Sequence, residues 1–395
     1  MNTGTFALAA GLDSSDSLAS IGAAHSLNNN KIKQYMLISL AGRNAVKYTT
    51  TTHNVLVRAE KLTGRLRVNE RKTLMKRYGY LYEQIYCREN LLLAHKNASK
   101  GKKDYEEVKE VNRHLDYYID ELQNQLINQA FKNSEYTIFT KMDKGKKREI
   151  YKLPYFPDRI LHHAIMQILE PIWHKVLIKD TYQSIKGRGI HKCAKKMIKH
   201  IKKEKPKYYL QMDVKKFYPS INNEILKTII RKKIKCRKTL ELLYEIIDST
   251  TGVPIGNYLS QYLGNLYLAY VDHKIKEKYK MKQYYRYCDD LVLIHIDRTK
   301  LNELKVLVDN MLQELRLEVK YNWKLDIINI HGINFLGLRV FHNKALLRDK
   351  IVDGLTQCVV QEKILSIPSY YGWILLADGY NLWRKVNESK SKKSN

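Results

Sequence analysis

The chain has 395 residues, 44% of them hydrophobic, and carries 70 Lys and Arg against 40 Asp and Glu, a formal charge of +30 at pH 7. That length and apolar content can bury a substantial core, which excludes a disordered polyelectrolyte, and the charge favours a polyanionic partner, nucleic acid ahead of an anionic membrane surface. No apolar run approaches the roughly 20 residues needed to span a bilayer, and five scattered cysteines without a CxxC pair argue against both a disulfide framework and a zinc site.

Residues 1–30 are rich in Ser, Ala, Gly and Asn and are expected to be poorly ordered; residues 31–70 read as a flexible leader or an additional nucleic-acid-binding arm. Thr5 to Leu12 is apolar but lacks a preceding basic region, so no export is predicted and a reducing cytoplasm is expected. From about Leu74 the pattern becomes helical, and Val108, Val111, Leu115, Tyr118, Leu122 and Leu126 recur at the spacing of one amphipathic helix. Tyr136 to Thr140 and Lys147 to Lys152 flank Asp143-Lys144-Gly145-Lys146 and predict a basic β-hairpin. Arg148 and Arg159 are candidates for gripping a triphosphate, because a guanidinium fork meets two phosphate oxygens at once. Either can equally be a surface cation, although the position after a turn favours Arg148. His162 and His163 are adjacent, so their rings diverge and cannot share a metal from one helix; they are core or surface residues. Two basic blocks follow, Lys195 to Lys207 and Arg231 to Lys238, each readable as a solvated face or as phosphate contact, the latter favoured for the groups.

Tyr208 to Val214 reads as a strand ending in Asp213, which turns through Pro219-Ser220 into an amphipathic helix. Thr251-Gly252 to Gly256 forms either a loop whose glycines admit close backbone approach or a plain turn before a helical stretch, Leu259 to Tyr279. Tyr287-Cys288-Asp289-Asp290 lies between Tyr284-Tyr285 and Leu291 to Ile294, as the turn of a buried hairpin. Adjacent ionised carboxylates among strand formers repel each other and lose hydration, so they require a compensating cation. With Asp213 they form the set that holds two Mg²⁺ about 3.5–4 Å apart for in-line phosphoryl transfer, and Mg²⁺ prefers such oxygen ligands. Cys288 reads as a small packing residue. Leu301 to Leu317 is helical in period, Leu346 to Val386 reads as a short helical end with a Lys390 to Lys393 tail, and no room is expected for a nuclease domain.

Asp213 followed by Phe217-Tyr218, and then Tyr-Cys-Asp-Asp, resembles motifs A and C of reverse transcriptases. The resemblance covers roughly residues 75–385 and rests on order: the basic hairpin, the Asp213 strand, Gly252-Val253-Pro254-Ile255-Gly256, Ser260-Gln261, the Asp289-Asp290 turn, then Asn334-Phe335-Leu336-Gly337. It is closest to the enzymes of diversity-generating retroelements, through Ile255-Gly256-Asn257-Tyr258-Leu259-Ser260-Gln261, with agreement also at Arg148-Glu149-Ile150, Asp158 to Ala164, Lys186 to His191, Gly332 to Gly337 and Ser369 to Trp373.

The resemblance implies an α+β right-handed polymerase fold: an N-terminal extension (1–70), N-terminal helices and fingers (71–207), a palm with an antiparallel sheet (208–345), and a short helical thumb with a basic tail (346–395). It implies RNA-templated DNA synthesis with two Mg²⁺, replaceable by Mn²⁺, at Asp213, Val214, Asp289 and Asp290, with Asp213 and Asp289 as main ligands. The implied nucleotide contacts are Arg148, Arg159, Phe217, Tyr218, Ile255, Gly256, Gln261 and a lysine near the pyrophosphate, Lys324 in preference to Lys320. Phe335, Leu336 and Gly337 form the implied primer grip. Tyr218 would exclude the ribose 2′-hydroxyl, or else be a core aromatic. Ile255 stands where retroviral enzymes carry Gln, and loss of that polar brace implies low fidelity, consistent with mutagenic copying at template adenines. Implied partners are a structured template-repeat RNA, a DNA primer, dNTPs and a small basic oligomeric accessory protein, with no membrane. Two alternatives stay open: a reverse transcriptase of another bacterial lineage, antiphage or group II intron-like, and an inactive RNA-binding scaffold.

Overall fold

The protein is described by a computed structural model covering residues 76–143, 145–361 and 367–384; the expected leader (1–70) and the Lys390 to Lys393 tail lie outside the described residues. Four helices open it: α1 (Tyr82–Tyr86), α2 (Arg88–Ala98), α3 (Glu106–Arg113) and α4 (Leu115–Ile127). The stripe expected to form one helix is therefore split, with a break at His114 (φ −125°, ψ 43°). No Gly or Pro marks the break; the two halves are tied to different neighbours. Glu107 on α3 accepts from the Tyr155 backbone N–H at 2.8 Å, whereas α4 packs on α1 and α2.

The hairpin β1 (Thr137–Asp143) and β2 (Lys146–Lys152) follows as an isolated antiparallel pair. A five-residue turn then leads into α5 (Ile160–His174), whose apolar residues run around most of its circumference. Such a helix can only be a buried one, and Ile160, Leu161, Ile165, Leu169 and Trp173 are all in the main core. His162 and His163 are also buried, so both belong to the core and neither faces solvent.

After α6 (Ile190–Glu204) comes β3 (Tyr208–Asp213), the second strand from one edge of an antiparallel sheet ordered β4-β5-β3-β6, with β4 (Tyr284–Tyr287), β5 (Asp290–His295) and β6 (Lys324–Ile327). Its two faces are both covered. Leu210, Met212, Tyr284, Leu291 and Leu293 enter one core, built with α5, α7 (Asn223–Arg231), α8 (Arg237–Asp248), α9 (Ser260–His273) and α10 (Arg298–Glu314). Tyr209, Tyr285, Val292 and Ile294 enter a second core, built with Cys193, Ala194, Met197 and Ile201 of α6 and with the small sheet β7 (Ile333–Phe335), β8 (Leu338–Val340) and β9 (Ala345–Leu347). Burial on both faces is why β5 reads as an unbroken apolar run, Leu291 to Ile294, rather than as an alternating one. Two further helices, α11 (Asp349–Val360) and α12 (Ile367–Ile374), follow β9, residues 380–384 at the end of the described chain are again helical, and Trp373 packs on the second core. No helix among the described residues is long and apolar enough to cross a membrane.

Candidate active site

Side chains alternate along a strand, so Asp213 falls on the same face as Tyr209, and Asp290 on the same face as Val292 and Ile294. The register brings the two together: Asp213 and Asp290 are directly opposed partners across β3 and β5. Tyr287 pairs with Asp290, so Cys288 and Asp289 alone form the β4–β5 turn. Only the first of those two has a positive φ (Cys288, 59°), the sign pattern of a turn in which glycine is usual.

What holds a cysteine there is a buried ion pair beneath the turn. Arg286 and Asp272 are both fully buried. The guanidinium donates to Asp272 Oδ1 at 2.8 Å and Oδ2 at 2.6 Å, to Asn265 Oδ1 at 3.0 Å and to the Cys288 carbonyl at 3.0 Å. Asp272 also accepts from the hydroxyls of Tyr284 at 2.6 Å and Thr181 at 3.2 Å. The turn is thereby fastened to α9 from the face opposite the carboxylates. Sequence reasoning overlooked this pair, although an Arg inside the run Tyr284 to Tyr287 and an Asp at the end of the apolar run Leu263 to Val271 were its signal.

The carboxylates are half-buried, and the register sets Asp213 and Asp290 side by side. Burial, then the neighbouring Asp213 and Asp289 charges, push Asp290 up to about 7. Burial also raises Asp213, opposed by its hydrogen bond from Lys320 and reinforced by Asp289. Lys320 is aligned by the backbone: its N–H donates to the Asp213 carbonyl at 2.8 Å, Val214 bridges Val319, and Lys215 N–H reaches the Glu318 carbonyl at 2.8 Å. Its ammonium then pairs with Asp213 Oδ2. Lys324, preferred on sequence, lies on β6 opposite Gln211 of β3 and is exposed. The irregular segment after α10 sets which lysine reaches the carboxylate, and spacing along the chain does not reveal that.

A divalent cation suits these donors. They are hard oxygens, and Asp213 Oδ1 is buried without any hydrogen-bond partner. Among the described residues, however, no three His, Cys, Asp or Glu side chains already stand arranged around a metal position; Lys320 supplies the positive charge instead.

Around this centre, Phe217 is buried, and Tyr218 packs against the main core with its hydroxyl 3.3 Å from Cys288 Sγ. Both rings lie over Gly264 of α9, where a Cβ would stand 3.0 Å from each of them. The Ile255–Gly256 loop is stitched to the hairpin: Tyr151 N–H donates to the Ile255 carbonyl at 2.8 Å, and Gly256 (φ 120°) approaches so closely that a Cβ would lie 2.6 Å from the Tyr151 carbonyl. Asn257 donates to the Tyr136 hydroxyl at 3.0 Å, and Tyr258 stacks on His163 with ring centroids 3.9 Å apart. Gln261 is exposed and accepts from the Ser184 hydroxyl. Arg148 lies on β2, exposed and opposite Lys141. Arg159 directs Nε to the Ala98 carbonyl at 3.5 Å and contributes to depressing His162 and His163. Phe335 is buried in the second core, while Leu336 (φ 52°) and Gly337 (φ 79°) form the two-residue turn to β8, the glycine lying against Trp373 and Ile351.

Residues 119–340, more than half the chain, match the family described as reverse transcriptase (RNA-dependent DNA polymerase). Over 156 residues the chain is 22% identical to protein YkfC of Escherichia coli (strain K12), covering 36% of this chain and 41% of that one. Over 151 residues it is 28% identical to group II intron-encoded protein LtrA of Lactococcus lactis subsp. cremoris, covering 35% of this chain and 24% of that one. The matches thus span less than half the length of either relative. Among solved structures, apo telomerase from Candida tropicalis is similar at a TM-score of 0.44 and 13% identity, over 66% of this chain and 59% of that chain.

Proposed function

The chain belongs to the reverse transcriptase family, and from that premise we propose that it is an RNA-directed DNA polymerase whose reaction centre is Asp213, Asp289 and Asp290. The observation that carries this reading is the register of β3 and β5, which opposes Asp213 to Asp290 with Asp289 in the adjoining turn. Asp213 and Asp289, with the Val214 carbonyl and Asp290 in support, would hold Mg²⁺ or Mn²⁺. When bound, the ions supply activation of a primer hydroxyl and neutralisation of triphosphate charge.

The protein's own groups do the rest. Lys320, tethered by its backbone pairing to the end of β3, would offer its ammonium to the phosphates from beside Asp213. Phe217 and Tyr218 form the floor under the sugar, where the ring held over Gly264 would exclude a 2′-hydroxyl. The Ile255–Gly256 loop, fixed to the β1–β2 hairpin, presents backbone and an apolar side chain to the base pair, with Gln261 next to it. Arg148 and Arg159 are assigned to the triphosphate, and Phe335, Leu336 and Gly337 to the primer end. In this reading the hairpin and N-terminal helices are fingers, the four-stranded sheet is the palm and the terminal helices are the thumb of a right-handed polymerase.

We assign the enzyme to diversity-generating retroelements, copying a structured template-repeat RNA with errors at adenines in the cytoplasm, aided by a small basic accessory protein. The support is the Ile255-Gly256 to Ser260-Gln261 run and the apolar residue at Ile255. A group II intron-like role is the second reading, favoured by the similarity to LtrA. Sequencing cDNA made in cells decides between them: substitutions concentrated at template adenines support the first, and uniform errors remove it.

A further inference from the structure

Arg77, Thr228, Arg231 and Lys232 line an open cavity of about 350 Å³ at the C-terminal end of α7. The chain just before α1 is laid onto this end by strand-like pairing. Tyr78 N–H donates to the Lys233 carbonyl and Lys235 N–H to the Tyr78 carbonyl, both at 2.8 Å, and Arg77 Nη2 reaches the Ile234 carbonyl at 3.2 Å. Folding therefore gathers two basic segments more than 150 positions apart onto one surface.

Little on that surface offsets the charge. Arg237 pairs with Glu241 at 2.8 Å, but among the described residues Arg77, Arg231, Lys232, Lys233 and Lys235 form no ion pair with a carboxylate. Lys76 and Lys175 stand over the Tyr78 ring at 5.5 and 5.8 Å. Two residues further on, Tyr80 is 85% exposed, although it occupies a positive φ of 53°. A negative helix end accounts for cations at Arg231 and Lys232. It does not account for bringing Arg77 and Lys235 to the same place, where their mutual repulsion costs stability.

The surface is separate from the reaction centre. α7 is nine residues long, about 13 Å at 1.5 Å per residue, and it packs in the layer against the sheet face opposite the carboxylates. Unpaired cations beside an exposed aromatic match an unpaired polynucleotide, phosphates taken by the charges and a base by the ring. We propose that this face binds a single-stranded segment of RNA outside the polymerising site, with its phosphates on Arg77, Arg231, Lys232 and Lys235 and a base stacked on Tyr80. The proposal rests on the polymerase reading only in taking RNA as the polyanion.

The test is fluorescence anisotropy of a short labelled oligouridylate on the full chain, with the reaction centre saturated by a template–primer duplex. Arg231→Gln with Lys232→Gln and Lys235→Gln should make the slope of log affinity against log salt shallower by about 2, at ~0.7 for each phosphate that no longer meets a cation. Tyr80→Ala should weaken binding about 5- to 150-fold, the range of a lost base stack, and Tyr80→Phe should not. Extension of the short duplex should keep its rate in all variants. Unchanged affinity and slope overturn the proposal, as does extension that falls in step with RNA binding. Loss of binding to phosphatidylserine vesicles with RNA binding intact overturns it in favour of a membrane. If the unsubstituted chain extends no primer yet the variants lose RNA, the polymerase reading fails and this surface stands.

Discussion

Removing Arg286 separates what the buried pair contributes to folding from what it contributes to the reaction centre. Arg286→Met strands Asp272 as a fully buried carboxylate with only the Tyr284 and Thr181 hydroxyls as partners. Breaking a buried pair in this way costs about 3–5 kcal/mol, a large share of the roughly 5–15 kcal/mol that holds a domain folded. Adding Asp272→Asn removes the stranded charge, keeps a carbonyl oxygen to accept from the Tyr284 hydroxyl, and lets the new amide donate to the Thr181 hydroxyl oxygen. What is then lost is mainly the charge-assisted bonds from the guanidinium to Asn265 and to the Cys288 carbonyl, about 1.5–3 kcal/mol each, partly offset because no charge is left to desolvate, so urea unfolding of the double variant should recover part of the stability. Single-nucleotide incorporation should not recover with it. Cys288 loses the donor that holds its carbonyl, and a displacement near 1 Å of a reacting group can cost about a hundredfold in rate. The KM for template–primer should stay unchanged, and Cys288→Gly, which adopts a positive φ freely, should return part of kcat. A double variant with both stability and kcat restored would show that Arg286 serves the fold alone.

Three further outcomes follow from the same contacts. Gly264→Ala sets a Cβ 3.0 Å from the Phe217 and Tyr218 rings; the rings must shift, so the ratio of dNTP to rNTP incorporation should fall, as it should more severely in Tyr218→Ala, and unaltered discrimination in both would remove the ring from sugar selection. Lys320→Met frees Asp213 Oδ2 of its ion pair, so nucleotide-free protein should bind Mn²⁺ about fivefold more tightly by calorimetry, the worth of a partly exposed pair of ~1 kcal/mol; equal or weaker binding contradicts this. Burial, aided by nearby charges, lowers His162 to about 3 and His163 to about 4. The unfolded chain therefore binds protons first as pH falls, so the stabilisation is complete above about 6.5 and is lost progressively toward pH 4, on the order of 3 kcal/mol for His163. His163→Phe keeps a ring on Tyr258 and should flatten the dependence of unfolding midpoint on pH between 7 and about 4.5; an unchanged slope refutes it.

Much of the sheet was legible because its chemistry is local. Two acids after Tyr284 to Tyr287 and before Leu291 to Ile294 can only be the turn of a buried hairpin, and Asp213 at the end of an apolar run can only be a strand end. Other features depended on which neighbours were present. The periodicity through Val108 to Leu126 continues smoothly past His114, yet tertiary anchoring of Glu107 divides the helix. Lys320 and Lys324 lie on one short segment, and only the backbone pairing of residues 318–320 with the end of β3 shows which faces Asp213. Arg286 and Asp272 lie 14 positions apart in apolar surroundings, so each could have been flagged as a buried charge in need of a partner. The joining of residues 76–80 to the Arg231 to Lys238 block could not have been read from the sequence, since no pattern links them.

The most direct test of the reaction centre is Mg²⁺-dependent incorporation of labelled dNTP on an RNA template, comparing the unsubstituted chain with Asp213→Asn, Asp289→Asn and Asp290→Asn at matched folded fraction. The opposed register of Asp213 and Asp290 with Asp289 in the adjoining turn predicts robust extension for the first and loss of detectable extension in the Asp213 and Asp289 variants, with Asp290→Asn also strongly impaired. Extension that persists at the unsubstituted rate in either Asp213→Asn or Asp289→Asn would contradict it.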